Sequence, residues 1–479
     1  MYMPERKDSC ILAVDLGTSG PKSALVSKHG QILAHAFSKT DLFLSEGGGA
    51  CQDPNQWWQA VLKTIEKLLI KHPDSANRLS GICCCAQWSG TVAVDRDGNC
   101  LGKAIIWLDS RGSPYIRDIT GGILNIRGYS PLKLMRWIRI TGGAPSHSGK
   151  DSLAHILYIK KNYPEIYART WKFLEPKDYI NFCLTGVCRG SGDSMALHWV
   201  TDNRDIGRIR YNEGLIKMCG LDRKKLPDLC QPGEIVGAVR KKLARELGIN
   251  TDVLVAAGTP DVQAAALSSG AVADFAPHLY IGTSSWLSCH VPFKKTSLST
   301  GIASLPSAVP GRYFVANEQE SAGACLCFLK DNLFFPGDAM GMEPAPENFF
   351  DLADLPAKQA PPGAGGLLFL PWLYGERTPI DDKWIRGGFI NLSLDSSRAH
   401  IVRSVLEGVA YNSKWLLGAA CLGCIGFEEI EGAADSGGIY TPDPALRDVY
   451  DNMFKQFITA YKSTRKICAR LNRKDAVEK

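Results

Sequence analysis

The chain has 479 residues, 45% hydrophobic and 22% charged, with a formal net charge of +6. That is too long for one ordinary core, so two or more domains are expected, and the composition is that of a globular protein. The positive charge does not point to nucleic acid: eight Lys/Arg of residues 455–479, against Asp475 and Glu478, carry all of it in a tail read as a solvated helix end.

Met1–Cys10 is charged, and the apolar run behind it, Ile11–Val14, is far too short for a secretory signal; it reads as a buried strand ending at Asp15. Ser23–Val26 and Gln31–Ala36 form a hairpin about Lys28-His29-Gly30. Asp53-Pro54 starts a helix, because Pro is tolerated at the first helical position and Asp can cap it. Trp57, Trp58, Val61, Ile65, Leu68 and Leu69 then share one apolar face. Leu79–Ala86 and Thr91–Val94 are strands, and Asp95–Gly98 turns into Leu101–Trp107. Residues 112–250 read as mostly helical and polar, an inserted subdomain.

The second half restarts in a similar way. Val253–Ala257 is a strand, Asp261–Ser268 a helix, and Leu279–Gly282 a strand, which places a domain boundary at 257/258. Residues 331–366 are rich in Pro and Gly and read as a surface excursion. Ala399–Leu417 is a helix. Asp443-Pro444 starts another, whose Leu446, Val449, Tyr450, Met453, Phe454, Phe457, Ile458 and Tyr461 form a core-packing stripe. Trp415–Phe427, the longest uncharged apolar stretch, falls short of the ~20 residues that span a bilayer, so a cytoplasmic protein without membrane or nucleic-acid partners is expected.

Sixteen cysteines raise the question of metals or disulfides. Cys83-Cys84-Cys85 lies in a strand, where neighbours point to opposite faces and cannot share a metal. Cys421-x-x-Cys424 has no second pair or nearby histidine. Structural thiols in a reducing compartment are expected.

Two turns carry the chemistry. Gly17-Thr18-Ser19 and Gly282-Thr283-Ser284 each follow an apolar strand, a setting in which backbone N–H groups and hydroxyls converge on a phosphate. Two copies about half a chain apart suggest two similar lobes, each holding one end of a polyphosphate. Gly47-Gly48-Gly49 is not a phosphate loop, since no strand precedes it. Asp261, at the start of a helix, reads from spacing alone either as an N-cap or as a base.

Further motifs accompany these in a fixed order: Gln52-Asp53-Pro54 with Trp57-Trp58, Ile106-Trp107-Leu108-Asp109-Ser110-Arg111, Glu175-Pro176-Lys177-Asp178-Tyr179, Gly258-Thr259-Pro260-Asp261, and Gly375-Glu376-Arg377-Thr378-Pro379 through Arg386-Gly387-Gly388-Phe389. Together they resemble the FGGY family of carbohydrate kinases, nearest to xylulokinases, from Ile11 to Leu471. The resemblance implies an α/β, two-domain actin-like ATPase (ribonuclease H-like) fold with duplicated lobes, residues 1–257 carrying the sugar site and 258–479 the nucleotide site.

It also implies roles. ATP and Mg²⁺ are the expected cofactors, with Asp15 at the metal and Asp261 as the base that takes the sugar hydroxyl proton. Gly17, Thr18, Ser19 and Lys22 would hold phosphate from the first lobe, and Gly282, Thr283 and Ser284 from the second. Gly323 would let a nucleotide approach the backbone, or would serve helix packing. Where family xylulokinases carry Gln-Met-His-Gly, this chain has Gln87-Trp88-Ser89-Gly90. Trp88 is expected to stack on a sugar, Ser89 to donate to a hydroxyl, and Gln87 to line the same place. His155 and Tyr158 stand where the family has Lys and Trp, and read as packing.

One departure is large. After Leu417 the family's strand and Gly-Gly-Gly-Ala-x-Ser turn have no counterpart, which predicts a missing β–α unit of ~30 residues. Asp435-Ser436-Gly437-Gly438 does not replace it. The expected activity is phosphorylation of a ketose, D-xylulose first, to xylulose 5-phosphate. The alternatives are a kinase for another ketose or a polyol, or a relative impaired by loss of part of its ATP pocket. A homodimer is left open.

Overall fold

The structure, a computed structural model, describes residues 9–126, 128–297, 302–339, 343–380, 382–423 and 441–472. Internal contacts divide the chain into two units. The first comprises Met1–Ser269, Val291–Lys294 and Ala303–Phe314; the second comprises Gly270–His290, Lys295–Ile302 and Val315–Lys479.

The first unit is built on a six-stranded sheet. Its strands are β1 (Cys10–Gly17), β2 (Gly20–Ser27), β3 (Ile32–Phe37), β4 (Leu79–Ala86), β5 (Ile235–Ala238) and β6 (Leu254–Pro260). The spatial order is β5-β6-β4-β1-β2-β3, with β1, β4 and β6 parallel and the outer pairings antiparallel. Cys10, Leu12, Val14 and Leu16 of β1 are buried while the residues between them are half-buried. Alternation therefore sends Asp15 to the face opposite the main core. Helix α1 (Pro54–Lys71) covers the core face with Trp57, Val61, Ile65 and Leu68, and Asp53 accepts the Asn55 N–H at 2.9 Å as the N-cap. Each such large apolar side chain stabilises the fold by about 1.5–3 kcal/mol relative to exposure.

Two expectations for this unit change. The division falls at Ser269/Gly270 rather than 257/258, because β6 completes the first sheet and helix α3 (Asp261–Ser268) follows directly from it. A strand–helix–strand pattern in sequence does not reveal its pairing partner. Residues 112–250 are also more than polar helices. They enclose a second core around Trp137, Ile156, Phe173 and Trp199, include helix α2 (Pro176–Thr185), and return β5 to the main sheet.

In the second unit, β7 (His278–Ile281) and β8 (Ser285–Val291) form a hairpin whose turn is Gly282-Thr283-Ser284. Strand β9 (Tyr313–Gln319) leads into helix α4 (Gly323–Phe328). The 331–366 stretch is not only a surface excursion. It holds helix α5 (Phe349–Gln359), which buries Phe349, Ala353 and Ala357. Strands β10 (Leu368–Leu370) and β11 (Gly388–Ile390) pair antiparallel, and helices α6 (Arg398–Gly423) and α7 (Arg447–Asn472) complete the unit. Its core is aromatic: Trp372 lies 5.0 Å from Phe457 and 5.5 Å from Tyr461, ring centre to ring centre, so the terminal helix packs with its predicted stripe. Helix α6 runs unbroken through Gly423. The Cys421-x-x-Cys424 side chains, the Asp435–Gly438 segment and most of the stretch where a missing unit is expected lie outside the described residues.

No helix of the described residues is long and apolar enough to cross a membrane.

Candidate active site

In the first unit, the C-terminal ends of the three parallel strands bring two carboxylates together. The register sets Asp15 of β1 beside Cys85 of β4, and Cys85 beside Thr259 of β6. Two residues past Thr259, Asp261 opens α3. The Cys85 thiol lies 3.6 Å from Asp15 Oδ1. Ends of parallel strands are where α/β sheets leave room for ligands, since the following chain splays away there.

The electrostatics of this corner are specific. Burial, and then the charge on Asp15, push the Asp261 carboxyl up to about 7; the backbone N–H groups of Val262 and Trp88 partly offset this by favouring the carboxylate. Val262 N lies 2.8 Å from Asp261 Oδ1. A carboxyl held near neutrality changes protonation state at little cost, which is what a general base needs. Burial, and then the carboxylates of Asp15 and Asp261, raise the Cys85 thiol well above its ordinary range, so it stays protonated.

A β-bulge delivers Asp261. Between Ala256 and Thr259 the β6 strand carries one residue more than β4, so Ala257 and Gly258 together face Cys84. Without the extra residue, each later side chain on β6 would turn to the other face. Gly258 has φ +70, and a Cβ there would meet the Cys84 carbonyl oxygen at 1.9 Å.

The first turn is tied from within. Thr18 and Ser19 form the two-residue loop between Gly17 and Gly20. The Thr18 hydroxyl donates to Gln87 Oε1 (3.0 Å) and accepts from Trp107 Nε1 (3.0 Å), while Gln52 Nε2 donates to the Thr18 carbonyl (2.8 Å) and Gln87 Nε2 to Gln52 Oε1 (2.8 Å). These bonds use the Thr18 proton and both ends of the Gln87 amide. Ser19 and Lys22 remain exposed, and Lys22 stands directly across the strand pair from Asp15.

In the second unit, the Gly282-Thr283-Ser284 turn is closed by the Gly282 N–H to the Ser284 carbonyl at 2.8 Å. The carbonyls of Gly282 and Thr283 accept N–H groups from Ala322, Gly323 and Ala324, so the first N–H groups of α4 are already used. A Cβ on Gly323 would meet the Gly282 carbonyl at 2.6 Å. The small residue is thus required by the turn's own backbone.

Residues 10–268 match the N-terminal domain of the FGGY family of carbohydrate kinases, and residues 279–441 match its C-terminal domain. The chain belongs to the FGGY family. It is 32% identical over 412 residues to a xylulose kinase of Staphylococcus epidermidis, covering 84% of this chain and 75% of that one. Among solved structures, a Brucella ovis "xyloylose kinase" superposes with TM-score 0.81 at 22% identity, over 96% of this chain and 100% of that one. A ligand-bound xylulose kinase from Lactobacillus acidophilus gives 0.79 at 20% identity, over 95% and 98%. The fold is therefore the actin-like ATPase fold of FGGY sugar kinases. The C-terminal match also runs across Leu417, the point at which a missing unit is expected.

Within this FGGY kinase, two residues expected on the sugar side already make hydrogen bonds inside the fold. The Ser89 hydroxyl donates to the Lys150 carbonyl at 2.6 Å, with Ser89 itself at φ +62. Gln87 is buried in the Thr18–Gln52 network and braces the turn instead. Trp88 is half-buried; its Nε1 donates to the Ser194 carbonyl at 3.0 Å, which fixes the ring's orientation. His155 is buried with Nδ1 3.3 Å from the Thr91 hydroxyl, and Tyr158 receives Arg111 NH1 at 3.1 Å. Both do pack.

Sequence reasoning gave several family motifs no role, and the structure supplies one. Glu175 is buried with its carboxyl pushed up to about 8 by burial, and it accepts the Gly90 N–H at 3.0 Å. Glu376, pushed up to about 7 mainly by burial, accepts from Glu320 N (3.0 Å), Arg377 N (2.8 Å) and Asn412 Nδ2 (2.7 Å). Arg377 also pairs with Glu318 and Glu320, binding its motif to β9. The motif letters were visible, but apart from the neighbouring Arg377 N–H these partners lie 36 to 85 residues away in the sequence.

Proposed function

We propose that this FGGY kinase transfers the γ-phosphoryl group of ATP to a hydroxyl of D-xylulose, giving xylulose 5-phosphate, with Asp261 as the base. The observation that carries the reading is the Asp15–Asp261 corner: two carboxylates at the ends of parallel strands, one of them held near neutrality. Phosphoryl transfer asks mostly for positioning and charge neutralisation, and one group to receive the hydroxyl proton.

Asp15 fits Mg²⁺. This ion takes one or two carboxylates with water and substrate phosphates, and Asp15, half-buried at the C-terminal end of β1, offers one. Held by Asp15, Mg²⁺ would supply charge neutralisation on the phosphate oxygens. Asp261 accepts the sugar proton as the phosphoryl group arrives. In the first unit, exposed Ser19 and Lys22 are the phosphate contacts; in the second unit, exposed Thr283 and half-buried Ser284 offer hydroxyls of the same kind. The described cysteines are all free, which suits a reducing, cytoplasmic location.

D-Xylulose is favoured because the Staphylococcus epidermidis and Lactobacillus acidophilus relatives are xylulose kinases. A different ketose or a polyol is the second reading, favoured by Ser89, whose hydroxyl is turned to the Lys150 carbonyl. ADP release from Mg·ATP, measured with D-xylulose, D-ribulose, glycerol and no sugar, tests both. Stimulation by D-xylulose above the others is expected. Stimulation by glycerol or ribulose alone would replace the substrate, and wild-type turnover by Asp261→Ala would remove the proposed base.

A further inference from the structure

Lys177 is the least expected buried residue in the first unit. Its side chain is 2% exposed, beside Asp178 and Asp193, which are 1% and 0% exposed. Lys177 Nζ pairs with the Asp178 carboxylate and donates to the Ala257 carbonyl at 2.8 Å. Asn181, one helical turn on, donates to the same carbonyl at 2.8 Å. That carbonyl belongs to the bulge that delivers Asp261.

The other side of the bulge is held as well. The Thr259 hydroxyl donates to Asp193 Oδ2 at 2.5 Å, and Asp193 Oδ1 receives the Ser194 N–H at 2.9 Å. The Ser194 hydroxyl donates to Asp178 Oδ2 at 2.6 Å, closing the network, and the Ser194 carbonyl receives Trp88 Nε1 at 3.0 Å. The Ala257 and Gly258 N–H groups bond to the carbonyls of Glu234 (2.8 Å) and Pro232 (2.9 Å), so the bulge is anchored in both directions.

We infer that Lys177, with Asn181, is a positioning residue for phosphoryl transfer: it clamps the Ala257 carbonyl and thereby fixes where Asp261 stands, while the same network orients Trp88. Stability alone is a poor account of this arrangement. Well-packed apolar side chains replace buried ion pairs at little or no loss of stability, whereas no apolar side chain can hold a carbonyl in place. The inference rests on Asp261 being the base.

The test is a double-mutant cycle on ADP release with the sugar that stimulates it. Lys177→Met is expected to lower kcat by ~10- to 100-fold with KM for ATP within about twofold, as for an ångström-scale misplacement of the reacting group. Asn181→Ala, which removes one donor and no charge, is expected to lower kcat several-fold, and it carries the test if Lys177→Met does not fold. In an Asp261→Asn background either substitution should cost almost nothing further, because the group being positioned is gone. Unchanged kcat in the single variants, or the same fold-loss with and without Asp261, overturns the positioning role. Full turnover by Asp261→Asn alone instead overturns the proposed base, so the two failures are distinct.

Discussion

Gly258→Ala perturbs the candidate site through a single methyl group. Gly258 sits at φ +70, where a Cβ costs about 1–2 kcal/mol through its clash with the local backbone. The larger problem is external. The new Cβ would lie 1.9 Å from the Cys84 carbonyl oxygen, and ordinary contact begins at 3.4 Å. Neither partner is a flexible side chain, so β6 and β4 must part by roughly 1.5 Å at the bulge, three residues before Asp261. A misplacement of that size costs about a hundredfold in rate. The suitable control is Gly30→Ala: it has the same backbone problem, at φ +80, with nothing within 4 Å of the added Cβ. ADP release and thermal unfolding of both variants separate the two effects. Gly30→Ala should lose stability by about 1–2 kcal/mol and keep its kcat. Gly258→Ala should lose kcat by about two orders of magnitude or more. Equal, near-wild-type kcat in both variants would refute the claim that the bulge sets the position of Asp261.

Asp261→Asn should lower kcat by ~10²- to 10⁴-fold while isothermal titration shows ATP binding little changed, since it removes a proton acceptor and keeps the shape. The Asp261 carboxyl lies near 7, above its ordinary value, and the base acts deprotonated. Sugar-dependent kcat/KM should therefore rise with pH through the neutral range and level off above it, and a flat profile from pH 5 to 8 would count against this base. Trp372→Ala, at a fully buried ring whose Nε1 donates to Asn412 Oδ1 at 3.2 Å, should destabilise by about 3–5 kcal/mol in denaturant unfolding. Asp53→Ala should cost about 1 kcal/mol by the same assay and leave kcat unaltered, because Asp53 only caps α1.

Local chemistry by itself determined much of this protein. The Asp53-Pro54 start of α1, the Asp443-Pro444 start of the last helix and the alternation in β1 rest on interactions within a few residues, so the sequence displays them directly. The ordered motifs fixed the family, and with it Asp15 and Asp261 as candidates. Tertiary structure decided the rest. Which strand β6 pairs with moved the boundary to Ser269/Gly270, and a one-residue bulge decided which face Asp261 occupies. Gln87, Ser89 and Thr18 read as ligand contacts because their side chains can donate. The fold turns those hydrogen bonds inward, to partners 61 to 69 residues away for Ser89 and Thr18 and to Gln52 for Gln87. A buried hydrogen bond must be made somewhere, and only the packed chain decides with whom.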